Sequence, residues 1–428
     1  MSTNKEPLLN NLLKLFMFAM VLANIAGHMY GSLLPLYLKD LNASVVQVGL
    51  FFTLSRIIPL ALQILGGWIS DTLGRLRSIA MGSVAGVVSY IGLILAPTWQ
   101  WVLAGEGLAA VTRSLVGPSF GAFIAEQSSE ENRARVFGIT ETIFMLVMVI
   151  GPPLGGWLAQ KYGFKFMLLC AGLLYTLAAL IRIGMARTAA KGHEANPEKL
   201  SLQGLKGNLG AMTALVLGGG VITWILITDG VRDVAFSMSF TLMPLYLEDI
   251  GGLTIQQIGI LSSIFGVFNM LTTIPAGWLA DKRGERIAIV LGFFLDFAAM
   301  MVFLRVSDFW GYALCWGLFG VGVGLMSPAY QSLISKAVPE KLRGTAFGLL
   351  QSSLGLFSLP APAIGGQLWA NISPRFPFSL TAWVTLVTVI PAWLKFKLPQ
   401  KGEQDSTATP ISERTPSIRT QPKTKKGS

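Results

Sequence analysis

Runs of about 20 apolar residues recur along almost the whole chain and are separated by short polar turns. A helix of this length crosses the ~30 Å hydrocarbon core of a bilayer. Because lipid offers no hydrogen-bond partners, the backbone of such runs must satisfy itself, which favours helices. The chain of 428 residues is 52% hydrophobic and 13% charged, too apolar for a soluble domain of this size. The sequence therefore predicts an all-α integral membrane protein.

These runs predict twelve transmembrane helices. The first run is too long for the hydrophobic region of a secretory signal and lacks a clear cleavage site, so we count it as a span. The predicted spans cover residues 12–38, 45–70, 78–97, 99–126, 136–160, 164–187, 216–248, 256–281, 286–306, 309–336, 344–370 and 376–397.

The net charge of +11 raises the possibility of nucleic-acid binding, but the placement of the basic residues argues against it. Most Lys and Arg residues lie at the termini and in the even-numbered loops between spans. This bias predicts a multi-pass protein of the cell membrane with both termini cytoplasmic. The expected surroundings are the lipid bilayer, with no nucleic-acid partner. No cofactor, metal or enzymatic activity is predicted, because the sequence has no Walker lysine motif, clustered metal ligands or paired catalytic residues.

The two halves of the sequence repeat each other at an offset of 210 residues, which aligns Gly67 with Gly277 and Phe137 with Phe347. One offset that holds from the second span to the fifth predicts two pseudosymmetric six-helix halves. The predicted division is an N-terminal half at 1–187, a cytoplasmic linker at 188–211, a C-terminal half at 212–398 and a disordered basic cytoplasmic tail at 399–428.

The turn GWISDTLGR at 67–75 resembles the G-x-x-x-D-x-x-G-R signature of the major facilitator superfamily. Its repeat GWLADKRGE at 277–285 follows the same pattern until the last position. The matching residues are Gly67, Asp71, Gly74 and Arg75 in the first half, and Gly277, Asp281 and Gly284 in the second, where Glu285 departs. Thr72 departs from the basic residue that usually follows the Asp.

A second motif, GPPLGG at 151–156, resembles the G-P-x-x-G-G motif of the twelve-helix proton-coupled drug antiporters in that superfamily. Arg113 with Gly117 resembles their R-x-x-x-G motif. The residues that match G-P-x-x-G-G are Gly151, Pro152, Gly155 and Gly156, where we expect a helix bend. The resemblance implies the major facilitator fold, alternating access, and efflux of drugs or metabolites driven by proton entry.

Charged residues at the cytoplasmic helix ends predict a two-fold gate. Pseudosymmetry places Asp71 near Arg343, at the start of the eleventh span. The equivalent contact joins Asp281 to Arg133, at the start of the fifth span. A carboxylate at such a position caps a helix N-terminus and meets a cation there. These contacts are expected to hold the two halves together while the protein is open outward.

A second pair of contacts is predicted near the same turns. Glu126 ends the fourth span, where the family fold places it beside Arg75, and the offset of 210 turns this pair into Lys336 and Glu285. The sequence thus predicts two equivalent salt bridges with exchanged signs. Two unrelated surface charges are the alternative, and such exposed pairs are individually weak.

Charged residues inside spans cost about 2.5–3.5 kcal/mol each, so each one needs a reason. The resemblance implies that the first, fourth, seventh and tenth helices line the cavity, and that the ninth, which carries Asp296, is peripheral. The candidates for proton coupling or the substrate cavity are His28, Arg56, Glu106, Arg113, Asp229, Arg232, Asp233 and Asp296. The four carboxylates are the candidate proton sites, and Asp233 lies near mid-depth.

Two alternatives remain open for these charges. Arg232 and its neighbours Asp229 and Asp233 could form a static ion cluster, and Arg56, Arg113 and Arg232 could bind an anionic substrate. The sequence as a whole predicts a secondary active transporter, expected as a monomer, that exports drug-like or metabolite molecules with protons as the coupling ion. A symporter or facilitator for an organic anion or sugar is the alternative within transport. A non-transporting sensor or scaffold is the alternative from another class.

Overall fold

The computed structural model describes residues 9–189, 219–338 and 355–397, with the backbone alone for most of residues 60–73. The described residues are helical, with no strand among them. The predicted tail lies outside this part of the chain, as does the predicted linker apart from the last two residues of one helix. The helices are α1 Asn11–Gly31, α2 Leu34–Asp40, α3 Val45–Leu73, α4 Arg75–Leu95, α5 Trp99–Glu126, α6 Arg133–Tyr162, α7 Phe164–Ala189, α8 Val221–Phe240, α9 Met243–Asp249, α10 Ile255–Arg283, α11 Glu285–Phe303, α12 Phe309–Ala337, α13 Ala361–Asn371 and α14 Phe376–Lys395.

Within the described part of the chain, nine helices are long and apolar enough to cross a membrane. The remaining three predicted spans correspond to α3, α8 and α13. The side chains of α3 are only partly described, α8 carries three charged residues, and the eleventh span begins in residues that the structure does not describe. The number twelve therefore stays a prediction, while the all-helical membrane architecture is confirmed.

The first and seventh predicted spans are each broken near one end, which the sequence did not predict. α1 ends at Gly31 before the short helix α2, and α8 ends at Phe240 before the equivalent helix α9. Each short helix carries a proline in its first turn, Pro35 in α2 and Pro244 in α9. Proline lacks the N–H that a continuous helix would need, but is tolerated where a new helix starts.

The repeat is visible in how α3 and α10 begin and end. Each begins with a capping box, formed by Ser44 with Gln47 in α3 and by Thr254 with Gln257 in α10. α3 ends at Gly74 with φ 88° and α10 ends at Gly284 with φ 93°, a left-handed region that disfavours other residues. We call the membrane face that carries these two glycines the Gly74 side, and the opposite face the Lys39 side.

The two halves touch through backbone contacts on the Lys39 side. A Cβ atom at Gly49 in α3 would overlap the carbonyl oxygen of Pro362 in α13, and one at Gly259 in α10 would overlap that of Pro152 in α6. A Cβ at Gly156 would lie 2.9 Å from the carbonyl oxygen of Ile255. Small residues let helices approach this closely in lipid, where packing drives association.

The ion pairs of Lys39 reinforce this closure. Its ammonium group, at the end of α2, contacts the carboxylates of Glu248 and Asp249 in α9. Burial lowers the pKa of Lys39, but its hydrogen bonds to the two carboxylates more than compensate and leave the pKa raised. The two halves are therefore held together by charge as well as by packing on this side.

The motif glycine Gly155 offers a direct test of close packing. In Gly155→Ala the added Cβ overlaps the carbonyl oxygen of Met29 in α1, so we expect a loss of roughly 1–3 kcal/mol of stability. Gly138→Ala in the same helix is the matched control, because nothing lies within 4 Å of its Cβ position. Thermal unfolding in detergent should separate the two variants, with Gly138→Ala at or above the wild-type midpoint. Equal midpoints would contradict the packing.

Candidate substrate cavity and gate

The two expected salt bridges are both present on the Gly74 side. Arg75 Nε lies 3.2 Å from Glu126 Oε1, and Lys336 contacts Glu285 Oε1. The second pair is the more buried, since the Glu285 side chain is 9% exposed and also accepts a hydrogen bond of 2.7 Å from Ser332. Each pair joins two helices of one half, α4 with α5 and α11 with α12. Their role in a gate stays a prediction.

The second predicted cross-half contact is absent from the described part of the structure. Asp281 and Arg133 are both exposed, and no ion pair joins them. The reason is that the described closure of the two halves lies on the opposite, Lys39 side. The first contact is not described, because Arg343 lies outside the described residues and only the backbone of α3 is described at Gly67 and Asp71. Gly277 lies near the end of α10, and no atom lies within 4 Å of its Cβ position.

A cavity of about 660 Å³ lies among the helices of the N-terminal half. Glu106 and Arg113, two turns apart on α5, both line it, as their spacing predicts. Glu106 is 6% exposed and accepts hydrogen bonds from Tyr30 Oη at 3.0 Å and from Arg113 Nη2 at 3.3 Å. His28 lines the same cavity at the end of α1. The cavity therefore contains one neutralised ion pair, bound to a tyrosine.

The motif GPPLGG packs directly behind His28. α6 continues through Pro152 without a break, and a Cβ at Gly151 would lie 2.5 Å from the Cβ of His28. Gly155 contacts the next residue of α1, and Gly156 faces the other half. In this structure the motif brings the backbone of α6 close to α1 and α10, while the predicted bend stays a prediction.

A second cavity, of about 340 Å³, lies where α3 of one half faces α8 of the other. Arg56 of α3 donates a hydrogen bond to Ser237 Oγ of α8 across this boundary. Asp233 lines the cavity together with Arg232 and Asp296, and phenylalanines cover much of the remaining wall. The charged residues of the two halves thus meet in one polar space with apolar walls.

Beside this cavity is a partly buried ion cluster, which we define as Asp229, Arg232, Asp296 and Tyr330. Arg232 Nη1 lies 3.0 Å from Asp296 Oδ2, and its Nε lies 4.0 Å from Asp229 Oδ1. Tyr330 Oη donates to Asp229 Oδ1 at 2.6 Å. The guanidinium also lies over the ring of Phe293, 4.5 Å from its centroid. Two carboxylates therefore share one partly buried cation.

One sequence-based expectation about this cluster was wrong, and one alternative left open by the sequence takes a different form. Asp296 is not peripheral: it is 1% exposed and faces Arg232, because α11 packs closely on α12 at Gly322. The described ion pairs of Arg232 are with Asp229 and Asp296, while its neighbour Asp233 is exposed and lines the cavity. The cluster in the structure therefore contains Asp229 of α8 and Asp296 of α11, where the alternative from the sequence had Asp229 and Asp233.

Three polar residues of these sites were not expected from the sequence. Tyr30 binds Glu106, Ser237 binds Arg56, and Arg182 lines the larger cavity from α7. Arg182 was recognisable as a charge inside a span, and such a charge is a site candidate by default. Tyr30 and Ser237 carry no such signal, because tyrosine and serine are common in apolar helices.

Paired polar cavities inside an all-helical membrane fold define this chain as a multi-pass membrane transporter for small molecules. Two segments, residues 16–252 and 225–424, match the family model of the Major Facilitator Superfamily, so the chain belongs to that superfamily. This confirms the resemblance carried by the two turns and by GPPLGG.

Known relatives agree with this assignment. The chain is 25% identical over 375 residues to a "Multi-drug resistance efflux pump PmrA homolog" of Lactococcus lactis, covering 85% of this chain and 89% of the relative. It is 27% identical over 357 residues to a "Na(+), Li(+), K(+)/H(+) antiporter" of Planococcus maritimus, covering 76% and 83%. The crystal structure of a mutant of the nucleoside transporter NupG shares the fold, with a TM-score of 0.75, 13% identity, and coverage of 90% of this chain and all (100%) of that chain.

The exchanged salt bridge provides a test of pairing on the Gly74 side. Glu285→Lys places two cations together next to a buried position, so we expect a several-fold loss of transport and about 1–2 kcal/mol of lost stability, allowing for the exposed Lys336. Adding Lys336→Glu should restore most of both, measured as initial transport rate and thermal midpoint. Additive losses in the double variant would mean that the two residues do not act as a pair.

Proposed function

We propose that this protein is a proton-coupled exporter of drug-like or small metabolite molecules that works by alternating access in the cell membrane. The observation that carries the proposal is the partly buried ion cluster, in which Asp229 and Asp296 share Arg232 beside a cavity between the halves. We further propose that the protein acts as a monomer in the lipid bilayer with both termini in the cytoplasm.

The composition of the cluster suits reversible protonation. With both carboxylates ionised it holds one negative charge more than Arg232 can neutralise, in a region where an excess charge is costly. One proton removes the excess. Asp296 is the best acceptor, because its Oδ1 atom is buried and has no hydrogen-bond partner in the described structure, while Oδ2 already binds Arg232. Protonation of Asp296 weakens its contact with Arg232, so that Asp229 becomes the main partner of Arg232.

The cluster is positioned to act on the contact between the halves. Arg232 and Asp229 lie on α8, which also carries Ser237, the partner of Arg56 in the other half. A change in how Arg232 is held therefore acts on the same helix that meets α3. In the alternate state, the contacts of Lys39 would open. The Gly74 side would then close through contacts of Asp281 with Arg133 and of Asp71 with Arg343.

The cavity walls suit apolar molecules of drug size. The smaller cavity is lined by Phe236, Phe240, Phe265 and Phe319, and the larger one by Phe120, Phe144 and Met20. Apolar pockets of a few hundred Å³ with a few convergent polar groups are typical of small-molecule sites. The relatives named as a drug efflux pump and a cation/proton antiporter support export by proton exchange, and the second makes monovalent cation exchange the competing function.

Transport in proteoliposomes tests the coupling. We expect ethidium, an apolar cation, to accumulate only under an imposed pH gradient, and Asp296→Asn to reduce this coupled accumulation at least about tenfold. Asp308→Asn is the matched control, because Asp308 caps α12 near the Lys39 side and asparagine caps equally well. Flux that ignores the gradient would rule out proton coupling. Coupling that survives Asp296→Asn would move the proton site to Asp233, Asp229 or Glu106, and flux of Na⁺ or K⁺ alone would favour the competing function.

The orientation is tested separately by labelling single cysteines in intact cells. Asn42→Cys lies on the Lys39 side and Ser129→Cys on the Gly74 side, and both positions are exposed. In a background with Cys170 and Cys315 replaced by alanine, a membrane-impermeant maleimide should modify only the cysteine at position 42. Modification of the cysteine at position 129 instead would reverse the proposed topology.

A further inference from the structure

Arg182 is a buried cation in the membrane-spanning part of the protein that no carboxylate of the described residues neutralises. Its side chain belongs to α7, is 2% exposed and lines the larger cavity. Within the described residues no carboxylate lies at ion-pair distance. Its partners are neutral: Nη1 donates to Ser83 Oγ at 3.1 Å, Nη2 lies 2.9 Å from Met20 Sδ, and the ring of Tyr175 lies 6.0 Å away.

One donor of this cation is unused. Arg182 Nε is buried and has no hydrogen-bond partner in the described structure, while the Tyr175 hydroxyl lies among Arg182, Ser83 and Thr112. Arg182 and Tyr175 both line the cavity of about 660 Å³. Buried donors are nearly always satisfied, so a buried cation with a free donor next to an open cavity points to a ligand that completes it.

The described lining of the cavity contains no spare carboxylate to serve this purpose. Glu106 is its lining carboxylate, and it already binds Arg113 and Tyr30. With that ion pair set aside, Arg182 is the remaining arginine of the described lining. Arg232 in the other half is different, because Asp229 and Asp296 both pair with it. This fold can therefore place carboxylates of its own beside an arginine inside the membrane.

We propose that Arg182, with Ser83 and Tyr175, binds the carboxylate group of a transported molecule in the larger cavity. The guanidinium presents several donors in one plane, which matches the two oxygens of a carboxylate. The apolar part of the molecule packs against the aromatic wall formed by Tyr90, Phe120 and Phe144. Substrates of this transporter therefore include aromatic amphiphiles that carry a carboxylate. The assignment rests on the proposed transport function only in taking this cavity as the substrate site.

Binding of a matched pair of probes to the purified protein in lipid nanodiscs tests the site. Norfloxacin carries a carboxylate and an ammonium group, and its methyl ester keeps the ammonium group and the ring system. We expect the wild type to bind the acid about tenfold to a hundredfold more tightly than the ester, as a hydrogen-bonded charge pair predicts. A wild type without this preference overturns the proposal, and that comparison needs no variant.

Two variants locate the preference. Arg182→Met removes the cation, and Ser83→Asp supplies a resident carboxylate beside it; both should bring the acid and ester affinities within about threefold of each other. Arg77→Met, which removes an exposed cation on the Gly74 side, is the matched control and should keep the wild-type ratio. Arg182→Lys should keep part of the preference. An acid preference that persists in either variant, in protein that still transports ethidium, overturns the assignment.

The same experiment separates this assignment from the transport function. If the wild type does not move ethidium under a pH gradient, the proposed function fails. The binding ratio and its loss in Arg182→Met would still establish the carboxylate site. If transport is intact and the ratio is unity, the proposed function stands and the site is wrong.

Discussion

A charge inside a membrane is costly unless a counter-charge lies beside it, and the packing of the helices around Arg232 follows from this constraint. Arg232 lies inside the membrane fold because α11 and α8 each bring a carboxylate to it, and Tyr330 of α12 binds one of these carboxylates. The close packing of α11 on α12 at Gly322 makes that arrangement possible, since any side chain there would meet Asp296. The pairing of charges in this half therefore depends on the close packing of its helices.

The repeated scaffold carries different chemistry in each half. At the offset of 210 residues, Asp296 corresponds to Gly86, where the ring of Tyr175 fills the space that a side chain would take. Glu106 corresponds in the same way to Trp316. The ends of the helices keep the symmetry because they serve the same structural purpose twice. The residues of the cavities do not keep it, since Glu106 and Arg113 line one cavity while Arg232, Asp233 and Asp296 line the other.

The contacts of the two sides also differ in kind. On the Gly74 side, the pairs Arg75–Glu126 and Glu285–Lys336 each fasten two helices of one half. On the Lys39 side, close backbone contacts and the ion pairs of Lys39 join one half to the other. This division suits rocking of two rigid halves, because each half keeps its internal pairs while the contacts between halves can exchange.

The sequence by itself determined the helical membrane architecture and the two-fold repeat, which depend on apolar length and on one constant offset along the chain. Once the family resemblance had placed Glu126 beside Arg75, the same offset determined that Glu285 pairs with Lys336. Tertiary structure alone decided that Asp296 pairs with Arg232, that Asp233 lines the cavity, and that no carboxylate of the described residues pairs with Arg182. The physical reason is that a helix apolar on most sides carries little information about its rotation. Packing against neighbours distant in the sequence sets which face points inward.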